Sequence, residues 1–124
     1  MLSAGVGRVD ISPEVGTAHA GWGAQTHQVS LGNDMPLLVT ALAVANGDTE
    51  LVIVDVDIGI FTGDQDLLIR ELISEESGIP FENIRLAYSH THSAPITFGQ
   101  WIKEGIDLAN EWWDRIPDAC ASAV

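Results

Sequence analysis

Basic residues are scarce in this chain: one lysine and four arginines stand against 18 acids, a formal charge of −13 over 124 residues. A surface of that sign repels phosphate backbones and anionic bilayers, which argues against nucleic acid or a charged lipid surface as partner. Such an acid excess stays soluble where salt screens its self-repulsion, so adaptation to a salty milieu is one expectation. Cysteine is down to one, Cys120, which leaves no internal disulfide and no thiolate zinc cage. On an apolar helix face it reads as a small buried hydrophobe. No run approaches the roughly 20 apolar residues of a membrane span. The opening Met1-Leu2-Ser3-Ala4 lacks the basic and apolar regions of a leader. No transmembrane segment and a cytoplasmic location are therefore expected. Core material is plentiful, since hydrophobic residues make up 46% of the chain, enough for one domain.

The pattern predicts an α/β fold. Residues 4–11 alternate from Val6 onward and read as a strand stopped by Ser12-Pro13. Residues 12–36 are glycine-rich and without period, a long loop of the kind that is functional or folded over another element. Apolar runs flank Asn46-Gly47-Asp48, the strongest local signal for an antiparallel hairpin, placed at about 37–57. The second arm is apolar on both faces until Asp55 and Asp57, as in a buried central strand. Thr62 and Gln65 form a capping box for a helix, with Leu68, Ile69, Leu72 and Ile73 at helical spacing. Gly78 and Pro80 stop it. Ile84 to Tyr88 supply the next strand, completing a βαβ unit at about 50–90 within a mixed sheet.

From about Trp101 a C-terminal helix is expected on the stripe Ile102, Ile106, Ala109, Trp113 and Ile116, with Pro117 kinking it or opening a new one. Trp101, Trp112 and Trp113 read as core or interface anchors. The final Cys120-Ala121-Ser122-Ala123-Val124 has no stop signal, so the chain is expected to be the front part of a longer catalytic domain. The remainder of that domain, or an oligomer partner, would complete it.

The chemistry concentrates in Leu86-Ala87-Tyr88-Ser89-His90-Thr91-His92-Ser93-Ala94-Pro95, which holds two of the four histidines. Extended backbone would set His90 and His92 on one side, where two imidazoles can grip a metal or a polar substrate. Ligands of a parallel sheet bind beyond the carboxyl ends of its strands. There the βαβ unit brings Asp55 and Asp57 beside His90 and His92. Two readings stay open: metal or second-layer carboxylates, or plain caps of loop amides. His19 and His27 read as solvated loop residues, Gly21 and Gly23 as points of close backbone approach, and Arg85 as the partner of an acid.

With these residues in view, the chain resembles the amino-terminal part of the neutral (non-lysosomal) ceramidases. Ala4-Gly5-Val6-Gly7-Arg8-Val9-Asp10-Ile11 is similar to the family's first strand, and Gly21-Trp22 to its following Gly-aromatic pair. Asp57-Ile58-Gly59 matches an Asp-x-Gly strand end. Asn83 to Pro95 resembles the segment ending in the family's Thr-His-Thr-His-Ser-Gly-Pro signature, with Ser89 in place of Thr and Ala94 in place of Gly. Asn33-Asp34-Met35-Pro36 stands where the family carries basic residues.

The resemblance implies a zinc-dependent amidohydrolase of N-acyl amides, ceramide-like lipids among them, in sphingolipid metabolism. His90 would ligate zinc, His92 would contact the scissile carbonyl and help stabilise the oxyanion, and the Gly21 amide would face the same oxygen. Zinc lowers the pKa of bound water to about 7 and polarises the carbonyl, while fixed donors steady the tetrahedral intermediate. The family's other zinc ligands, a histidine, a glutamate and a tyrosine, lie further along than this chain reaches. The chain alone is therefore expected to be inactive or a metal-binding fragment. Two alternatives are a phosphoesterase-like metallohydrolase using Asp55 or Asp57 with the histidines, and a non-catalytic binding module.

Overall fold

The computed structural model describes residues 1–19, 21–99 and 102–124. A four-stranded mixed sheet runs in the order β1-β2-β3-β4, with β1 (Leu2–Asp10), β2 (Leu38–Asn46), β3 (Thr49–Val56) and β4 (Ile84–Tyr88). The first three strands are antiparallel neighbours and β4 lies parallel to β3. This is the expected mixed α/β architecture. The hairpin closes through Gly47 and Asp48, since Asn46 pairs with Thr49. Gly47 has φ 64° and Asp48 does not share the positive sign, so glycine takes the first loop position, as in a II′ rather than an I′ turn.

Helix α1 (Gly63–Ser77) crosses from β3 to β4. Its capping box is formed on both sides: Gln65 N–H donates to Thr62 Oγ1 at 3.2 Å, and Thr62 N–H to Gln65 Oε1 at 2.9 Å. Gly78 ends it in the left-handed region at φ 77°, where a side chain would be strained. Ile69 and Ile73 are buried against the sheet, whereas Leu68 is exposed. One short 3-10 turn precedes β4.

The C-terminal helix comes as two and begins later than the periodicity suggests. Helix α2 spans Ile106–Asp114 and α3 spans Ile116–Ala123, joined at Arg115. Gly105, at φ 70°, opens α2; a Cβ there would meet Gly16 O at 2.2 Å and Ala18 N at 2.7 Å, so only glycine lets the first loop pass. Pro117 lies in the first turn of α3, where its missing N–H is no loss. The expected start at Trp101 lies outside the described residues. The buried stripe of α2 is Ala109 and Trp112, continued by Ile116, and not the predicted one through Trp113, which is half-buried. Trp112 wins the core because its indole N–H donates to Ile11 O, which ties α2 to the end of β1.

Both α1 and α3 cover one face of the sheet, on a core of Val39, Ala41, Val52, Val54, Val56, Ile84 and Leu86. Gly7 allows α3 to lie directly on β1, for a Cβ there would strike the Ala123 carbonyl. Among the described residues, nothing covers the opposite face. Val6, Leu42 and Ile53 form a cross-strand row on it at 65%, 40% and 42% exposure, next to exposed Arg85. Arg85 therefore does not pair as expected: among the described residues the ion pair found joins Arg70 and Asp66 at 2.9 Å, one helical turn apart. Cys120 is fully buried, and burial pushes its thiol up to about 12. No helix among the described residues is long and apolar enough to cross a membrane.

Part of the long first loop is held against α2, through Glu14, Thr17 and Ala18. Thr17 and Ser30 are buried, and their hydroxyls both donate to Glu14 O, at 2.7 and 3.1 Å. Ala18 is the hub: its N–H donates to Gly105 O and its carbonyl accepts from Ile96 N–H, both at 3.0 Å. A second small core of Ala18, Ile96, Ile102 and Ala109 forms around it. This loop thereby clamps the histidine segment to the start of α2.

Candidate active site

Parallel pairing continues beyond β4. Ser89 N–H donates to Val56 O and Thr91 N–H to Ile58 O, both at 3.1 Å, so the histidine segment runs along the chain that leaves β3. His90 interrupts it with φ 56°, the one non-glycine residue in the left-handed region among those described. Such backbone is uncommon outside Gly, although His, Asn and Asp tolerate it better than most. The two imidazoles do come together, with ring centroids 5.1 Å apart and planes at 89°. Strand alternation is not the reason. The strand has ended at Tyr88, and the left-handed kink and following turn turn the rings toward each other.

Each ring is tied through the same nitrogen. His90 Nδ1 lies 2.6 Å from Gly59 O, and His92 Nδ1 lies 3.2 Å from Gly21 O. Together the two histidines, Gly21, Gly59, Phe98 and Trp113 border a largely apolar cavity of about 90 Å³. That volume holds a few waters or one small group, well below the roughly 300–1,000 Å³ of a complete small-molecule site. Trp113 stands edge-on to Phe61 at 6.2 Å, and Phe61 edge-on to Tyr88 at 6.0 Å, so aromatic packing backs the histidine wall. A larger hollow of about 550 Å³ lies at the other end of the sheet, by Ala4, Val44 and Glu50, and holds no histidine.

Gly21 borders the cavity, but its polar groups are already engaged. Its N–H donates to His19 O at 2.7 Å, and its carbonyl is the one facing His92. Asp55 and Asp57 do not line the cavity. Asp57 Oδ2 accepts from Leu38 N–H at 2.9 Å while its own N–H donates to Leu38 O at 2.9 Å, which fastens the end of β3 to β2. Asp55 is exposed on the bare sheet face, and partial burial together with the nearby Asp57 charge holds its carboxyl above the ordinary value.

His19 is more than a solvated loop residue. The Ala18–Val29 bridge brings its ring to 5.0 Å from that of His27, and its Nε2 is buried without a partner among the described residues. Burial, then the proximity of His27, lowers its pKa.

A ring held through Nδ1 can offer its Nε2 to a metal ion, so the donor chemistry of His90 fits zinc. The set is incomplete: no group of three or more His, Cys, Asp or Glu side chains lies together among the described residues. What the sequence reading missed is the carbonyl of Gly59 and the apolar wall of Phe98 and Trp113. Asp57-Ile58-Gly59 is visible as a strand end, but nothing local says which atom of Gly59 matters.

No family model and no curated protein matches the sequence. Solved structures do. A ceramidase complexed with C2 superposes with a TM-score of 0.72 at 21% identity over 99% of this chain. Neutral ceramidase from Pseudomonas aeruginosa gives 0.69 at 20% identity over 98%. In each case the chain spans about 20% of the other protein's length. The similarity carries the fold, and at that level the expected likeness to neutral ceramidase holds for nearly every residue of this chain.

Proposed function

We propose that this chain forms one wall of the active site of a zinc-dependent amidohydrolase that cleaves an N-acyl amide, with ceramide-like lipids as the substrate class. The observation that carries the reading is the pair of perpendicular imidazoles, His90 and His92, at the rim of an apolar cavity beyond β4, in a ceramidase-like fold. His90 is the metal ligand and His92 the residue that meets the scissile amide. Gly21 borders the same space and steadies His92 through its carbonyl. Zinc, when bound, supplies Lewis-acid polarisation of the acyl carbonyl and an activated water. This chain's own part is to hold the two rings, to keep water out with Phe98 and Trp113, and to offer an apolar surface to an acyl group. Further ligands come from the rest of the catalytic domain or from a partner subunit, because a catalytic zinc site uses three protein ligands.

The phosphoesterase alternative loses its support, since Asp57 is engaged with Leu38 and neither aspartate borders the cavity. A non-catalytic module draws its support from the lack of a third donor among the described residues. Metal analysis of the purified protein that carries this chain separates the two. The amidohydrolase reading expects stoichiometric zinc and cleavage of a fluorogenic N-acyl amide, both lost in His90→Ala. Absence of zinc from the parent, or its retention in His90→Ala, overturns it.

A further inference from the structure

The two histidines share one arrangement that the sequence spacing does not imply. Each directs Nδ1 at the backbone carbonyl of a glycine from a different loop, Gly59 after β3 for His90 and Gly21 in the β1–β2 loop for His92. A carbonyl oxygen has no hydrogen to give, so the bond exists only if the ring nitrogen carries it. A neutral imidazole has one N–H, and fixing it at Nδ1 leaves Nε2 as a bare lone pair.

We propose that the Gly59 and Gly21 carbonyls are tautomer locks: they hold both His90 and His92 as Nδ1–H imidazoles, so that the cavity receives two Nε2 acceptors and no imidazole N–H donor. Gly59 and Gly21 are positioning residues in this arrangement, acting through the rings. The left-handed φ of 56° at His90 belongs to the device, because it swings the ring off the line of β4 toward Gly59. The two rings, with centroids 5.1 Å apart, border the same cavity. For His92 the role changes from the one expected of it. Its single N–H is engaged by Gly21, so toward the substrate it accepts a hydrogen bond and has none to donate to a developing oxyanion. The Gly21 N–H, which donates to His19 O, is no substitute. Oxyanion donors must then come from elsewhere. The value of two lone pairs for catalysis rests on the metalloamidase reading; the tautomers themselves do not.

Long-range 1H–15N correlation spectra of the 15N-labelled chain, at a pH where the rings are neutral, test this. Signals are assigned by loss in His90→Asn and His92→Asn, since asparagine tolerates the left-handed backbone at position 90. The expected result is a protonated Nδ1 and an unprotonated Nε2 on both rings. A dominant Nε2–H form, or averaging between tautomers, on either ring overturns the proposal. Addition of zinc chloride then distinguishes the two levels. A shift confined to the Nε2 side of His90 supports both. Preserved tautomers with no response to zinc uphold the locks and count against the metalloamidase reading alone.

Discussion

β3 and β4 lie side by side, and at or just beyond the end of each comes a pair of polar side chains two residues apart, Asp55 and Asp57 on one, His90 and His92 on the other. On spacing alone the two pairs are equivalent candidates for chemistry. The fold uses them differently. β3 is an interior strand whose end must be fastened to β2, and Asp57 does this with Leu38. β4 is an edge strand among the described residues and runs out along the chain leaving β3, where the kink at His90 turns the side chains. The Asp57 carboxylate holds the frame, Asp55 stays on the exposed sheet face, and the imidazoles border the cavity. Polar residues beyond strand ends are thus sorted by whether a neighbouring backbone still needs them.

The contrast can be broken or sharpened by substitution. The largest effect is expected at Gly105, which lets the loop that carries Gly21 pass over α2. Gly105→Ala forces a side chain into the left-handed region, at a cost of about 1–3 kcal/mol, and adds a backbone clash, so the melting temperature should fall sharply. A variant that melts as the parent does would show the loop to be free of α2. Next comes Asp57→Ala, which leaves Leu38 N–H without its acceptor and should cost about 1–3 kcal/mol in urea unfolding. Zinc response should persist; its loss would move Asp57 from the frame into the site.

A smaller, pH-dependent effect is expected at Asp55. Its carboxyl binds a proton more readily folded than unfolded, because burial and then the Asp57 charge raise its pKa. The native state therefore holds the extra proton, and this contribution to stability is fully present below the ordinary value of 3.8 and falls as pH rises through the folded one. Asp55→Asn should abolish that decline and leave the variant the more stable at neutral pH, which melts between about pH 3 and 7 would reveal. The smallest change in stability belongs to the histidines: both are exposed, so His92→Asn and His90→Asn should unfold within about 0.5 kcal/mol of the parent. A large loss of stability in either would make the pair part of the frame after all.

What was legible in the sequence is what short stretches decide. Asn46-Gly47-Asp48 between two apolar runs marks a hairpin by its own turn chemistry, and Thr62 with Gln65 caps a helix by contacts within four residues. Pro117 starts α3 for the same local reason. Other boundaries depend on distant backbone: the start of α2 is fixed by Gly105 under the first loop, and the choice of Trp112 over Trp113 by a carbonyl at Ile11, 101 residues away. Arg85 looked like half of an ion pair because charge implies a partner, and the bare sheet face gives it none among the described residues.

At His90 and His92 the division is clearest. The amino-acid sequence by itself determined that two histidines follow a strand of a mixed α/β sheet, because hydrophobic pattern and turn chemistry act over a few residues. Only the tertiary structure decided which ring nitrogen each presents. That depends on carbonyls 31 and 71 residues away, which backbone pairing and a folded loop bring to hydrogen-bonding distance.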